Sequence, residues 1–438
     1  MSKADDITNN LTNDNNQDDE KDTSASSKRP RSSEDEEDEE SVSIDLDSLD
    51  RESLMALLTQ ISASQNIPLS VLLQSLGQSS SSYYDDSDEE IEYPFGTVPT
   101  NLQQVAAFIQ SDQCQRILVL AGAGMSVAAG IPDYRSENGF YATLPAHRLT
   151  ATPQQQAAIQ HDKTFALDQH LFLENPLPCL ELKRDFILGV AERRWKPTLA
   201  HRFCALLAKH SQKLVRWYTQ NIDGLEDLAT LRDKVVHVHG TMSQADCAHC
   251  RAMQDTEAFH QHVKTHIQDV TGQDVTAPTT SQPMLCSQCH QPGVKPAIVL
   301  FRSSLPKVFF ETLPQDLQDI DLLLILGTSL RVAPANSIVW RVPSSCLRVV
   351  INREPVGQHL GIRHSNSKRD FHAAGDCESV VLELMEHLGW LSLLEECVDD
   401  LPPSSAQLLR HKLAEKKKEA QESDKEVSTE SDKAVDKV

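Results

Sequence analysis

Nowhere in this 438-residue chain does an apolar run approach the length needed to cross a bilayer, so no membrane-spanning helix is expected. The opening residues, MSKADDITNNLTNDNNQDDE, lack the apolar stretch of a secretory signal and the Arg-rich, acid-poor character of a transit peptide. A nuclear or cytoplasmic location is the expectation. Positive charge is scarce too: 41 Lys and Arg against 64 Asp and Glu leave a formal net charge of −23. Sequence-independent grip on nucleic acid needs clustered cations at the phosphates, so this balance argues against it and suits a basic protein partner. Six of the ten cysteines (Cys114, Cys179, Cys204, Cys346, Cys377 and Cys397) are scattered, and the other four form two CxxC pairs. In a reducing compartment that usage points to metal and away from disulfides.

What is present divides the chain. Residues 1–48 are rich in Asp, Glu, Asn and Ser, with too few large apolar side chains to offset the entropy of ordering, and are expected to be a disordered acidic tail. Within them Lys28-Arg29-Pro30-Arg31 precedes the acidic run Glu34–Glu40. It reads as a nuclear import signal, which favours the nucleus slightly, or as a charge-balanced coil. Over 49–77, Leu54, Leu57, Leu58 and Ile61, then Leu69, Leu72, Leu73 and Leu76, recur at helical spacing. Pro68 suits a first helical position and Gly77 a stop, so a helical hairpin is expected, its leucine faces docked on the body or on a partner. An acidic, Ser-rich linker over 78–92 leads to a large domain over 93–400, and charged residues return over 401–438 as a solvated or partly helical tail.

The domain is expected to open with a helix capped by a Thr100/Gln103 box and carrying Leu102, Val105, Ala106 and Ile109. The stretch RILVLAGAGMSVAAGIPDYRS, Arg116–Ser136, organises the rest of the domain. Ile117–Leu120 has the uninterrupted apolar character of a strand buried on both faces of a parallel sheet, and Gly122, Gly124, Ser126 and Gly130 come directly after it. Glycines there let backbone N–H groups approach an anion, and a following helix N-terminus favours negative charge. Val127 stands where a dinucleotide fingerprint has its third glycine, so by itself the loop reads equally as a nucleotide cradle or a tight turn.

Five further apolar runs read as parallel strands: Leu214–Tyr218, Val235–Val238, Ala297–Phe301, Leu322–Leu326 and Leu347–Ile351. Tyr141–His210, without strand signals, reads as a helical excursion. Thr219-Gln220-Asn221-Ile222-Asp223, His239-Gly240-Thr241, Gly327-Thr328-Ser329 and Asn352-Arg353-Glu354 each follow the carboxyl end of an expected strand. Ligands of open α/β sheets bind at that edge, so these motifs converge with the glycine loop on one crevice of a Rossmann-like, doubly wound parallel sheet. An imidazole titrates where a general base is needed near neutrality, which makes His239 the candidate base. His237, on the same strand face, and His201, on an amphipathic helix, read as packed residues.

Between His239 and Ala297 the rhythm of strands is broken by Cys247-x-x-Cys250 and Cys286-x-x-Cys289, a small inserted zinc-ribbon and helical module over about 243–296. Two CxxC knuckles satisfy a closed tetrahedral zinc site with thiolates alone, so neither His249 nor His290 is needed as a ligand. The competing reading is a redox CxxC pair.

Taken in order and spacing over about Tyr93 to Trp390, GAGMSVAAGIPDYRS, GFY at Gly139–Tyr141, TQNIDGLE, HGT, the CxxC pairs, GTS and INRE resemble the sirtuin family of NAD-dependent protein deacylases. The resemblance implies NAD as cofactor, one structural zinc, and acetylated protein lysines, histones among them, as partners. Its products would be nicotinamide, deacylated lysine and O-acyl-ADP-ribose. It implies His239 as the base, Asn221 and Asp223 as holders of the nicotinamide carboxamide and a water, and Gln220 on the ribose. Implied cofactor contacts are Gly122, Ala123, Gly124, Ser126, Gly130, Ile131, Pro132, Asp133, Tyr134 and Arg135, with Ile222 and Gly327. Thr328 and Ser329 would meet phosphate, Asn352, Arg353 and Glu354 the adenosine ribose, and Cys377 the adenine. Tyr134 stands where the family usually has Phe. Leu300-Phe301-Arg302-Ser303 replaces Phe-Phe-Gly-Glu in the strand that pairs with substrate, and suggests that Arg302 selects acidic flanking residues. Tyr141-Ala142-Thr143-Leu144 lacks the Arg of family members that grip acidic acyl groups, which favours acetyl or longer apolar chains. Protein mono-ADP-ribosyltransferase and a catalytically silent NAD-binding scaffold are the alternatives.

Overall fold

A computed structural model of the chain describes residues 93, 96–133, 145–228 and 231–435. The acidic tail, the basic cluster, the hairpin and the linker expected before Tyr93 lie outside the described residues, as do Tyr134, Arg135 and the segment Tyr141–Leu144. Among the described residues the strands, in chain order, are β1 (Ile117–Ala121), β2 (Leu214–Thr219), β3 (Val235–His237), β4 (Gly240–Cys247), β5 (Met253–Gln254), β6 (Val294–Ile298), β7 (Leu322–Leu326), β8 (Leu347–Asn352) and β9 (Asp370–Ala374).

Six of them form one sheet in the order β3-β2-β1-β7-β8-β9, with every neighbouring pair parallel. All five residues of β1 and of β7 are buried, which is why both read as unbroken apolar runs. On one face Ile117, Val119 and Leu324 pack against Phe108, Phe203 and Leu384, from the helices Leu102–Gln110, Leu199–Lys209 and Cys377–His387. On the other, Leu118, Leu120 and Ile325 meet Phe309, Leu313 and Ile338. The strand order reverses between β1 and β7, and Ala121 is in register with both Thr219 and Leu326. Three loops therefore leave the sheet side by side at its switch point.

Two sequence expectations are corrected, and the structure adds to the reading of two further segments. The first helix is capped by Asn101, whose side chain accepts from Gln104 N, while Thr100 N donates to Gln104 Oε1; the partner is Gln104, not Gln103. The run assigned to Ala297–Phe301 is β6, Val294–Ile298, and it lies antiparallel to β4 in a separate three-stranded sheet of order β5-β4-β6. Apolar periodicity carries no strand direction, and here the strands entering and leaving the cysteine module pair with each other. The edge strand β9 had no apolar run to announce it. Residues beyond 400 are not all tail: the helix Pro403–Val435 buries Ala406 and Leu409, and Ser405 reaches the buried carboxylate of Glu378.

Candidate active site

The turn after β1 is fixed by its opposite wall. Gly122 N donates to Leu326 O at 2.9 Å and Gly124 N to Gly327 O at 2.8 Å. A Cβ on Gly124 would stand 2.6 Å from Gly327 Cα, and Gly327 itself adopts φ +56°, so side chains are excluded from both sides of this contact. The turn after β2 closes on the same point. Gln220 N donates to Ala121 O at 2.9 Å, and its side-chain Nε2 donates to Thr328 Oγ1 at 3.0 Å.

Ser126, Asn221 and Asp223 form one buried set. Ser126 Oγ donates to Asp223 Oδ2 at 2.7 Å, and Asn221 Nδ2 donates to Ser126 Oγ at 3.3 Å. Leu225 N donates to the other carboxylate oxygen of Asp223 at 3.0 Å. Burial is the main influence on Asp223 and raises its pKa above the ordinary carboxylate range, despite those donors.

His239 comes two residues after β3 and is half-buried. Its Nδ1 lies 2.9 Å from Gln220 O, and a carbonyl only accepts, so Nδ1 carries the hydrogen and Nε2 is the basic nitrogen. Val299 N donates to His239 O, tying the residue after β3 to the end of β6. His237 is a supporting residue, its Nε2 3.3 Å from Asp227 Oδ1.

The sequence-derived residues thus divide into two groups. Gly122, Gly124, Ser126, Gln220, Asn221, Asp223, Gly327, Thr328 and His239 are linked through hydrogen bonds of the three adjoining loops. Asn352, Arg353, Glu354 and Cys377 lie further along the same edge, at the ends of β8 and β9. There Asn352 Nδ2 donates to Glu354 O at 2.9 Å, and buried Cys377 opens a helix beside Ile351. Ile131 is buried, Asp133 half-buried and Pro132 exposed. Sequence reasoning gave no separate role to Glu226, the last residue of the TQNIDGLE motif. Glu226 is fully buried, takes the Thr219 hydroxyl, and has its pKa pushed up to about 7, first by burial and then by Asp223. A carboxylate in the short Leu225–Leu228 turn, directly after the Asn-Ile-Asp motif, was the available signal.

At the module, the Sγ atoms of Cys247 and Cys289 are 3.6 Å apart, as are those of Cys250 and Cys286, and all four lie within 4.8 Å of one another. Thiolates about 2.3 Å from a tetrahedral zinc stand about 3.8 Å apart, so the cluster fits one ion. The two knuckles repeat one geometry. Cys247 N donates to Ala252 O and Cys286 N to Gln291 O, each at 3.0 Å, and Arg251 and His290 take left-handed φ of 63° and 58°. This repetition is metal-knuckle architecture and replaces the redox reading.

Comparison with known proteins shows the family. The Sir2 family description matches residues 122–334, from the glycine turn through the cysteine module to beyond β7. The chain is 36% identical over 302 residues to the NAD-dependent protein deacetylase hst2 of Schizosaccharomyces pombe, covering 68% of this chain and 80% of that one. It is 33% identical over 350 residues to the NAD-dependent protein deacetylase sirtuin-2 of Danio rerio, covering 76% and 81%. Against the NAD-dependent deacetylase sir2A of Dictyostelium discoideum it is 34% identical over 312 residues, 70% of this chain and 55% of that longer one. Likeness at this level, spread over four fifths of two relatives, makes the chain a member of the Sir2 family.

Proposed function

We propose that this protein removes acetyl, or longer apolar acyl, groups from protein lysines with NAD as co-substrate. The observation that carries the reading is His239: its basic nitrogen is defined by Gln220 O, and it shares one hydrogen-bonded set with the glycine turn, Asn221 and Asp223. The relatives, named as NAD-dependent protein deacetylases, support the same activity. Bound NAD supplies a ribose carbon from which nicotinamide can leave when an acyl oxygen attacks. Asn221 and Asp223 offer an amide and a carboxylate to orient the carboxamide, and Ser126 holds both in place. Gln220, steadied by Thr328, would hold the ribose, and Nε2 of His239 would take the proton of a ribose hydroxyl. The glycine turn, held against Leu326 and Gly327, would leave room for the phosphates of NAD, while Asn352, Glu354 and Cys377 would serve its adenosine end. The net negative charge suits basic protein substrates, histones included, and the Lys28–Arg31 cluster supports a nuclear site.

The test is nicotinamide release from NAD with and without an acetylated peptide. Wild-type protein should release it only with the peptide, and His239→Ala should fall by at least about a thousandfold. A fully active His239→Ala variant would sink the assignment. Release that needs an unacetylated protein acceptor would favour ADP-ribosyl transfer, and no release at all would favour the silent scaffold.

A further inference from the structure

The loop leaving β8 carries Asn352, Arg353 and Glu354, and two imidazoles that no motif marks hold its backbone at both ends. His372 lies in β9, where Asn352 is in register with Ala374. Its Nε2 is 3.0 Å from Asn352 O, and Gly375 N donates to the same oxygen at 3.2 Å. His364 reaches the far end of the loop, its Nε2 2.9 Å from Val356 O.

A carbonyl only accepts, so both Nε2 atoms carry the hydrogen and both rings are fixed in one tautomer. The rings meet edge to face, with centroids 5.2 Å apart and planes at 71°, so each also sets the tilt of the other. His364 Nδ1 is buried without a hydrogen-bond partner, which leaves the bond to Val356 as that ring's polar tie. Between the two held carbonyls, Arg353, Glu354 and Pro355 are exposed. Exposed loop residues of this kind have little packing to fix them, and here the Asn352 side chain closes the turn by donating to Glu354 O at 2.9 Å.

We infer that His372 and His364 are positioning residues for the adenosine end of NAD, acting through the carbonyls of Asn352 and Val356 to keep the loop between them in its binding shape. The inference rests on the NAD-dependent reading and on the place given there to Asn352 and Glu354. A loop held ready loses less freedom when the cofactor arrives, so the gain appears as affinity. It does not reach the chemical step. β1 and β7 stand between β2, whose loop carries Asn221 and Asp223, and β8, which puts about 14 Å of sheet between the two loops.

Steady-state turnover of an acetylated peptide, with NAD varied, tests this. His372→Ala should raise KM for NAD about threefold to tenfold, the worth of one ordinary hydrogen bond, and leave kcat within about twofold. ADP-ribose, which keeps the adenosine end, should lose affinity by the same factor, whereas inhibition by nicotinamide, which lacks it, should not change. His372→Gln places an amide N–H near the lost Nε2 and should recover most of the affinity. His364→Ala should show the same split between KM and kcat. A fall in kcat at constant KM, an equal weakening of nicotinamide inhibition, or unchanged NAD and ADP-ribose affinity in both alanine variants overturns the inference. If His372→Ala does not fold, His364→Ala, at the other carbonyl, decides by the same measurements. Wild-type protein without NAD-dependent turnover would instead remove the NAD-dependent reading, and this inference with it.

Discussion

Arg302 occupies a backbone conformation made for glycine. Its φ of +65° lies in the left-handed region, where a side chain costs about 1–2 kcal/mol, at the position where the family pattern has Gly. The offset comes from Asp168, a carboxylate with 2% of its side chain exposed, to which Arg302 Nε donates at 2.5 Å. Asp168 also caps a helix by accepting from His170 N and Leu171 N, so the guanidinium completes its satisfaction. The sequence expectation was that Arg302 selects acidic residues flanking the substrate lysine; its Nε is held by a carboxylate of its own chain, and 61% of its side chain stays exposed. Arg302→Gly should relieve the backbone strain yet leave a buried carboxylate without its cation, for a net loss of about 1–2 kcal/mol by urea denaturation. A gain in stability would show that the ion pair contributes nothing.

At the level of elements, the cysteine module is coupled to the crevice through backbone. β4 begins at Gly240, directly after His239, and the chain leaving β6 donates Val299 N to His239 O. Stripping the zinc with a strong chelator, or Cys286→Ser, should therefore cost on the order of several kcal/mol and remove activity as well. Zinc stoichiometry followed together with peptide turnover checks this, and full activity in zinc-free protein would break the coupling. Legibility in the sequence tracks burial. β1, β2, β7 and β8 could be read because strands covered on both faces are mostly apolar, and their loop motifs gave the crevice with them. β9 escaped notice because Asp370-Phe371-His372 mixes polar and apolar residues at the sheet edge. That the helix Pro403–Val435 docks on the body was masked by the charged run Lys412–Lys418, which outweighs the few buried residues of its first turns. His201 and Glu226 could not be paired from sequence, since only the packing of the helix Leu199–Lys209 beneath the β2 loop brings them together.

For the molecule as a whole, the buried Glu226 and His201 give opposing dependences on pH. Glu226, raised from 4.5 to about 7, binds more proton folded than unfolded, so its contribution is full below about 4.5 and is lost as pH rises to about 7. His201, lowered from 6.5 to about 3, is neutral when folded, so its contribution is full above about 6.5 and is lost as pH falls towards 3. Between about 4.5 and 6.5 the two slopes offset each other. Glu226→Gln leaves only the histidine slope, and its stability relative to wild type should climb steadily from about pH 5 to about pH 8 in urea midpoints. A constant gap across that range would contradict the burial of an ionisable Glu226.

The switch point also sets an order of assembly. β1 is flanked by β2 and β7, which reach the sheet roughly 100 and 200 residues later in the chain. While a ribosome is still short of Gly327, the Gly122–Gly124 turn has nothing to close against, and premature termination before that codon leaves no half-built pocket to salvage.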